Sequence, residues 1–142
     1  MAGYITKPIT YVYEGEYKNG TGDPVENGSL VVIDTANAGY MTLPTADTNT
    51  KFLCKEVTTI YDGITAYRFI VTALASPVYF VENGFEYFCD GCGYDNRNHA
   101  VPEDELLRAH PLQHGEEFVT TMVTGTPAVG TEYGVLADGT IG

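Results

Sequence analysis

Residues 51–74 read KFLCKEVTTIYDGITAYRFIVTAL. Both halves are rich in β-branched and aromatic residues, which suit a pleated, partly buried surface. Between them Asp62-Gly63 offers the positive φ that a tight hairpin turn requires. The stretch therefore predicts a long antiparallel hairpin, residues 51–61 against 66–74. In its second half Tyr67, Phe69 and Val71 share one face while Arg68, Ile70 and Thr72 share the other. So weak a contrast predicts a strand covered on both sides.

The same pattern continues outward in both directions. Further strands are expected at residues 29–34, 78–88, 117–123 and 131–136, and Asn-Gly or Asp-Gly pairs recur at Asn19, Asn27, Asp62, Asn83, Asp90 and Asp138. Strands between regularly spaced turn signals indicate an antiparallel all-β domain. Residues 133–141 read as a short closing hairpin around Asp138-Gly139, and residues 42–50, TLPTADTNT, as a long surface loop. Val25-Glu26-Asn27-Gly28 recurs as Val81-Glu82-Asn83-Gly84, without matching flanks, and implies two similar strand-turn units instead of a duplicated domain. One segment breaks the β pattern. Residues 102–110, PEDELLRAH, begin with proline, carry acids first and bases last, and stop at Pro111. These signals predict one short helix. The fold expected is mainly β, a compact antiparallel β-barrel or β-sandwich with that helix near 102–110 and an extended N-terminal arm.

The chain has 142 residues, of which 44% are hydrophobic and 18% charged. One domain with an ordinary core fits this size, and disorder does not fit the composition. Seven Lys and Arg against nineteen Asp and Glu give a formal charge of −12, and the arginines are Arg68, Arg97 and Arg108. Nucleic acid and anionic membranes are therefore unsuitable partners, because both are bound through clustered cations. The first residues show no basic region followed by an apolar run, so no signal peptide is expected. Three cysteines, Cys54, Cys89 and Cys92, cannot all pair within one chain and favour a reducing compartment.

The inventory for chemistry is thin. Ser29 and Ser76 are the two serines, one after an Asn-Gly turn and one before proline, and neither sits in a nucleophile motif. Gly20-Thr21-Gly22 and Gly91-Cys92-Gly93 lack the lysine and hydroxyl of a phosphate loop. Glu116-Glu117 and Glu103-Asp104-Glu105 offer paired carboxylates of the kind a carbohydrate hydrolase uses, but in a chain this acidic such neighbours arise readily as solvated surface. Cys89-Asp90-Gly91-Cys92 is the most specific constellation. A Cys-x-x-Cys turn can present two thiolates to zinc, with Cys54, His99, His110 or His114 as candidate further ligands. The competing readings are free thiols and a Cys89–Cys92 disulfide. No cofactor is required by the sequence, and zinc on Cys89 and Cys92 is the one candidate.

Residues 1–18 form a distinct N-terminal stretch before a single β domain at 19–142. Tyr11, Tyr13 and Tyr17 lie on one parity of an extended chain and give it an aromatic face, preceded by Tyr4. Those tyrosines either cover the domain's own core or lie on a partner, since tyrosine is enriched at buried interface centres.

The C-terminal third carries a further pattern. Arg108-Ala109 and Leu112 precede His114-Gly115-Glu116-Glu117-Phe118-Val119-Thr120-Thr121. Then come Thr124-Gly125-Thr126-Pro127-Ala128-Val129-Gly130-Thr131-Glu132-Tyr133 and Leu136-Ala137-Asp138-Gly139-Thr140. Residues 26–32, 43–47 and 59–62 precede these segments in a matching order. This arrangement, over about residues 25–141, resembles small structural proteins of tailed bacteriophages. The resemblance implies a virion component, a head decoration or auxiliary capsid protein. Such a protein would bind the major capsid protein, associate with itself as a trimer or other small oligomer, and catalyse nothing. It implies localisation on the capsid surface after synthesis in the host cytoplasm.

Overall fold

A computed structural model describes residues 3–7, 16–60, 63–83 and 100–142, giving the backbone alone for 3–7 and residue 60. The described residues form twelve strands: β1 (Gly3–Lys7), β2 (Lys18–Asn19), β3 (Val25–Glu26), β4 (Leu30–Ile33), β5 (Tyr40–Thr42), β6 (Asp47–Ile60), β7 (Ile64–Ala73), β8 (Tyr79–Val81), β9 (Ala100–Val101), β10 (Ala109–Pro111), β11 (Glu117–Thr120) and β12 (Glu132–Val135). The predicted long hairpin is β6–β7, paired antiparallel from Lys51↔Ala73 to Ile60↔Ile64. It forms the centre of a five-stranded sheet of order β1-β11-β7-β6-β12. A second sheet has the order β10-β8-β4-β5-β2, and β3-β9 makes a separate two-stranded ribbon. Only β2–β5 is a parallel pair among these strands.

Two cores separate these layers. Phe52 and Cys54 of β6, Tyr67, Phe69 and Val71 of β7, Phe118 of β11 and Val135 of β12 pack on Leu30 and Phe80 of the second sheet. Phe118 is the hub of this core, with ring centroids 4.8 Å from Phe80 across the layers, 5.6 Å from Phe52 and 5.9 Å from Phe69. The second core lies on the other side of the second sheet. There Val31, Met41, Val81 and Ala109 meet Val25 and Val101 of the ribbon together with Leu107. Leu30 and Val31 are neighbours in β4, and pleating sends them into different cores. The first half of β4 is thus buried on both faces, as are all four residues of β11. The outer face of β7, at Arg68, Ile70 and Thr72, stays partly open to solvent, contrary to the sequence expectation.

No α-helix occurs among the described residues, so the helix expected at 102–110 is corrected. Its backbone groups are taken by distant partners before i→i−4 bonds can form. Asp104 N–H donates to Asn19 O at 2.9 Å, Glu105 O accepts from Asn19 N–H at 2.8 Å, and Leu107 N–H donates to Tyr17 O at 2.8 Å. Arg108 N–H goes to Asn83 Oδ1 at 2.6 Å and Arg108 O accepts from Glu82 N–H at 3.0 Å. Leu107, held this way, is buried in the second core while Leu106 faces solvent. The loop expected at 42–50 shrinks to residues 43–46, since Asp47 already begins β6.

The turn signals divide in an instructive way. Gly28, Gly63 and Gly139 adopt positive φ, as hairpin turns require. Gly139 is needed twice over, because a Cβ there would also lie 2.8 Å from Leu30 O, where the closing hairpin seals onto β4. Gly20 is different. Its φ is not positive, and its bare Cα lets β2 approach β5, where a Cβ would meet Met41 O and Tyr40 Cβ at 3.1 Å. Asn19-Gly20 therefore marks close packing and not a hairpin. Asn83 is described but Gly84 is not, and Asp90-Gly91 lies wholly outside the described residues.

If Phe118 is the hub of the first core, Phe118→Ala should cost about 3–5 kcal/mol of unfolding free energy. Val57→Ala, at a half-exposed site of β6, should stay within about 0.5 kcal/mol. Denaturant titration of both variants checks the contrast, and equal effects would refute the assigned hub.

Candidate functional site

Several of the residues singled out by sequence are drawn into the interior. Cys54 is fully buried in the first core, and burial pushes its thiol upward, against a smaller opposing effect of the hydrogen bond from Glu56 N–H. His110 is also fully buried, with Nε2 2.7 Å from Glu116 Oε2, and Glu116 is equally enclosed. Its other oxygen, Oε1, accepts Gln113 N–H at 2.6 Å. His114 alone of the described histidines is exposed, in the turn before β11. Among the described residues no three His, Cys, Asp or Glu side chains gather as a metal site. Cys89, Cys92 and His99 lie outside the described residues, and the zinc reading rests on them.

The His110–Glu116 pair has the components of acid–base chemistry, but neither side chain reaches solvent and no substrate can approach it. Its position explains it better. His110 belongs to β10 in the second sheet, and Glu116 immediately precedes β11 in the first. The pair therefore clamps the crossover by which the chain passes between sheets. Sequence reasoning missed it because a histidine and a glutamate six residues apart across Pro111 follow no strand or helix period. The paired carboxylates separate likewise. Glu116 points inward to His110, whereas Glu117 reaches Lys55 Nζ at 3.2 Å. Two carboxylates so committed cannot flank one scissile bond.

The Glu103-Asp104-Glu105 run is an exposed turn. Asp104 holds φ at 65° and accepts a hydrogen bond from the Tyr40 phenol. That bond, together with the Asp104 and Glu103 charges, holds the Tyr40 hydroxyl above its usual range. Tyr17 is half-buried against the second core. The strand containing Tyr4 is the edge of the first sheet, with Tyr4 opposite Val119. Tyr11 and Tyr13 lie outside the described residues.

A concave mouth opens between the two sheets. A cavity of about 420 Å³ is lined by Val32, Pro44, Thr45, Ala46, Asp47, Ser76, Pro77, Val78 and Val135. On the other side of the same Ser76-Pro77 loop lies a second cavity of about 370 Å³, reached past Leu74, Pro111 and Leu112. The floor is the first core itself, since Val78, Leu112 and Val135 belong to it. Asp47 is the one charged residue in either lining. Its carboxylate is occupied by Asn49 N–H at 2.7 Å and the Thr50 hydroxyl at 2.9 Å, and the Asn49 bond in particular holds it below the usual carboxylate range. In a chain of net charge −12, this mouth is a concavity with one charged residue and a mixed lining in which proline, valine and alanine stand beside Thr45 and Ser76.

The chain matches no known family model, no curated protein sequence and no solved structure. The mouth and the buried pair are therefore read from their own chemistry.

Glu116→Ala should destabilise the fold by about 3–5 kcal/mol, because it strands His110 in an apolar interior. A double-mutant cycle with His110→Leu should return a coupling above about 1 kcal/mol, and additivity would show that the two do not act as a pair. In a Cys89→Ser, Cys92→Ser background, Cys54 should ignore thiol reagents in the native protein and react once the chain is unfolded. Native reactivity at the unfolded rate would contradict its burial.

Proposed function

We propose that the chain is a structural protein of a tailed-bacteriophage virion that binds the head shell as a decoration or auxiliary protein. The observation that carries this reading is the ordered series of motifs at residues 108–140, which resembles small phage structural proteins and falls on consecutive elements. These are β10, the clamped crossover, β11, the turn at 124–130, β12 and the closing hairpin. The proposed role is binding without catalysis. Its partners would be the major capsid protein and further copies of this chain, in a trimer or other small oligomer on the capsid surface.

Physical considerations agree with the role. A net charge of −12 keeps such a protein off packaged DNA and favours colloidal stability of a particle that displays it. The mouth supplies a contact surface whose burial would strip water from one charged group, Asp47, which already accepts hydrogen bonds from Asn49 and Thr50. The exposed Val129, at 59% accessibility on the 124–130 turn, adds an apolar tip on the motif-bearing side of the chain.

Mass spectrometry of purified virions should find the chain at stoichiometric copy number, and its absence from particles would reject the proposal. Within particles, Leu74→Lys at the mouth should lower occupancy about tenfold or more while leaving the melting transition in place. Val57→Lys, on the exposed part of β6, should leave occupancy unchanged. Equal occupancy for both variants would exclude the mouth as the contact surface.

A further inference from the structure

Asn-Gly steps occur at Asn19, Asn27 and Asn83, and the first two lie wholly within the described residues. In an unconstrained chain this dipeptide is chemically labile, because glycine puts no Cβ in the path of its own nitrogen and asparagine is a thermolabile residue. The glycine nitrogen gives its proton to solvent base and attacks Cγ of the asparagine. A new N–Cγ bond closes a five-membered imide while the Cγ–Nδ2 bond breaks and leaves as ammonia. Water then opens the ring to aspartate or to isoaspartate.

In the fold both reacting groups are held at each step. Gly20 N–H donates to Met41 O at 2.8 Å, and Gly28 N–H to Val81 O at 2.9 Å. Asn19 uses its whole amide. Nδ2 donates to Asp23 O and Val101 O at 2.8 and 2.9 Å, and Oδ1 accepts from Thr21 N–H and its hydroxyl at 2.9 and 2.7 Å. Asn27 pairs with the backbone of Asn83, accepting its N–H at 2.6 Å and donating to its carbonyl at 3.1 Å. Both side chains are fully buried. Ring closure would have to break these bonds in a closed interior.

The products do not fit the places the asparagines leave. A carboxylate at position 19 would set an oxygen against the Asp23 and Val101 carbonyls, and one at position 27 would face the Asn83 carbonyl. Each is a buried acceptor facing an acceptor, with a charge added. Isoaspartate additionally lengthens the main chain by one carbon within β2 or the turn before β4.

We infer that Asn19-Gly20 and Asn27-Gly28 are latent deamidation sites which the native fold keeps closed, and that modification at either, once the chain has opened, makes unfolding irreversible. Time spent unfolded, not time alone, then sets the lifetime of the protein.

The test incubates the full chain, native and in guanidinium chloride, in mildly alkaline buffer, and maps aspartate and isoaspartate by peptide mass spectrometry. At positions 19 and 27 the native chain should react at least about a hundredfold more slowly than the unfolded one, as expected where reaction needs a costly opening. After partial reaction and dilution, the refolded protein should retain asparagine at both positions and the non-refolding fraction should be enriched in the products. Asn27→Asp, made directly, should fail to reach the native fold. Equal native and unfolded rates, equal distribution of products between the two fractions, or an Asn27→Asp chain that melts like the parent would each overturn the inference.

Discussion

The second sheet has no face turned to water where β4 and β8 cross it, and the rest of the architecture answers to that constraint. Leu30 and Phe80 look into one core while Val31 and Val81 look into the other. A polar group entering either core must bring its partner, since an unmet donor or acceptor there costs about 1–3 kcal/mol. The interior polar residues obey this rule. His110 brings Glu116, Asn27 takes both backbone groups of Asn83, and Asn19 binds four atoms with its side chain. Among the described side chains, Asn83 Nδ2 is the one buried polar atom without a partner. Thr120 completes the system by donating from β11 to Gly28 O at 3.1 Å, tying the outer sheet to the buried one.

The repeated Val-Glu-Asn-Gly motif acquires a meaning in this setting. Its two copies meet in space, with Gly28 N–H on Val81 O, Val81 N–H on Ser29 O and Asn27 on Asn83. The pairing is not symmetric. Asn27 reads the backbone of Asn83, whereas Asn83 turns its Oδ1 to Arg108 N–H. That second bond is one of those that unwind the 102–110 segment from a helix into a strap over the second core. A short sequence repeat and a failed helix thus have a common cause.

How much of this was legible in the sequence depends on the range over which each element is stabilised. The β6–β7 hairpin and the closing turn at Asp138-Gly139 were readable, because alternation and turn chemistry lie within a few residues of each other. Strands β2, β3, β5, β9 and β10, of two or three residues each, carry too few positions to show a period. The helix signals at 102–110 were real local preferences, overridden by Asn19, Tyr17 and Asn83 from far away in the chain. Of the candidate site residues, Glu116 and Glu117 looked like a matched pair, and strand alternation alone would have sent them to opposite faces. No local pattern announced the His110–Glu116 clamp or the apolar mouth, since both arise where non-adjacent segments converge.

Charge decides where so acidic a protein can touch another copy or a shell in the proposed role. At physiological salt, charges interact over about 8 Å, so two bodies each near −12 repel only where their acidic surfaces come close. Contact is then favoured on surfaces that carry few acids. The mouth and the N-terminal edge strand are two such places. The mouth has Asp47 as its one acid, already satisfied by Asn49 and Thr50. The first thirteen residues, MAGYITKPITYVY, contain no acid at all, and their described part, β1, lies at the edge of the first sheet. That edge is shortened for pairing, because the register shifts between Ile5 and Lys7 and a proline follows. Both features limit uncontrolled strand addition. The mouth, walled by Pro44, Pro77 and Pro111 and floored by the core, has no such restriction, and in the proposed role association there would remove apolar area from water against a single acid.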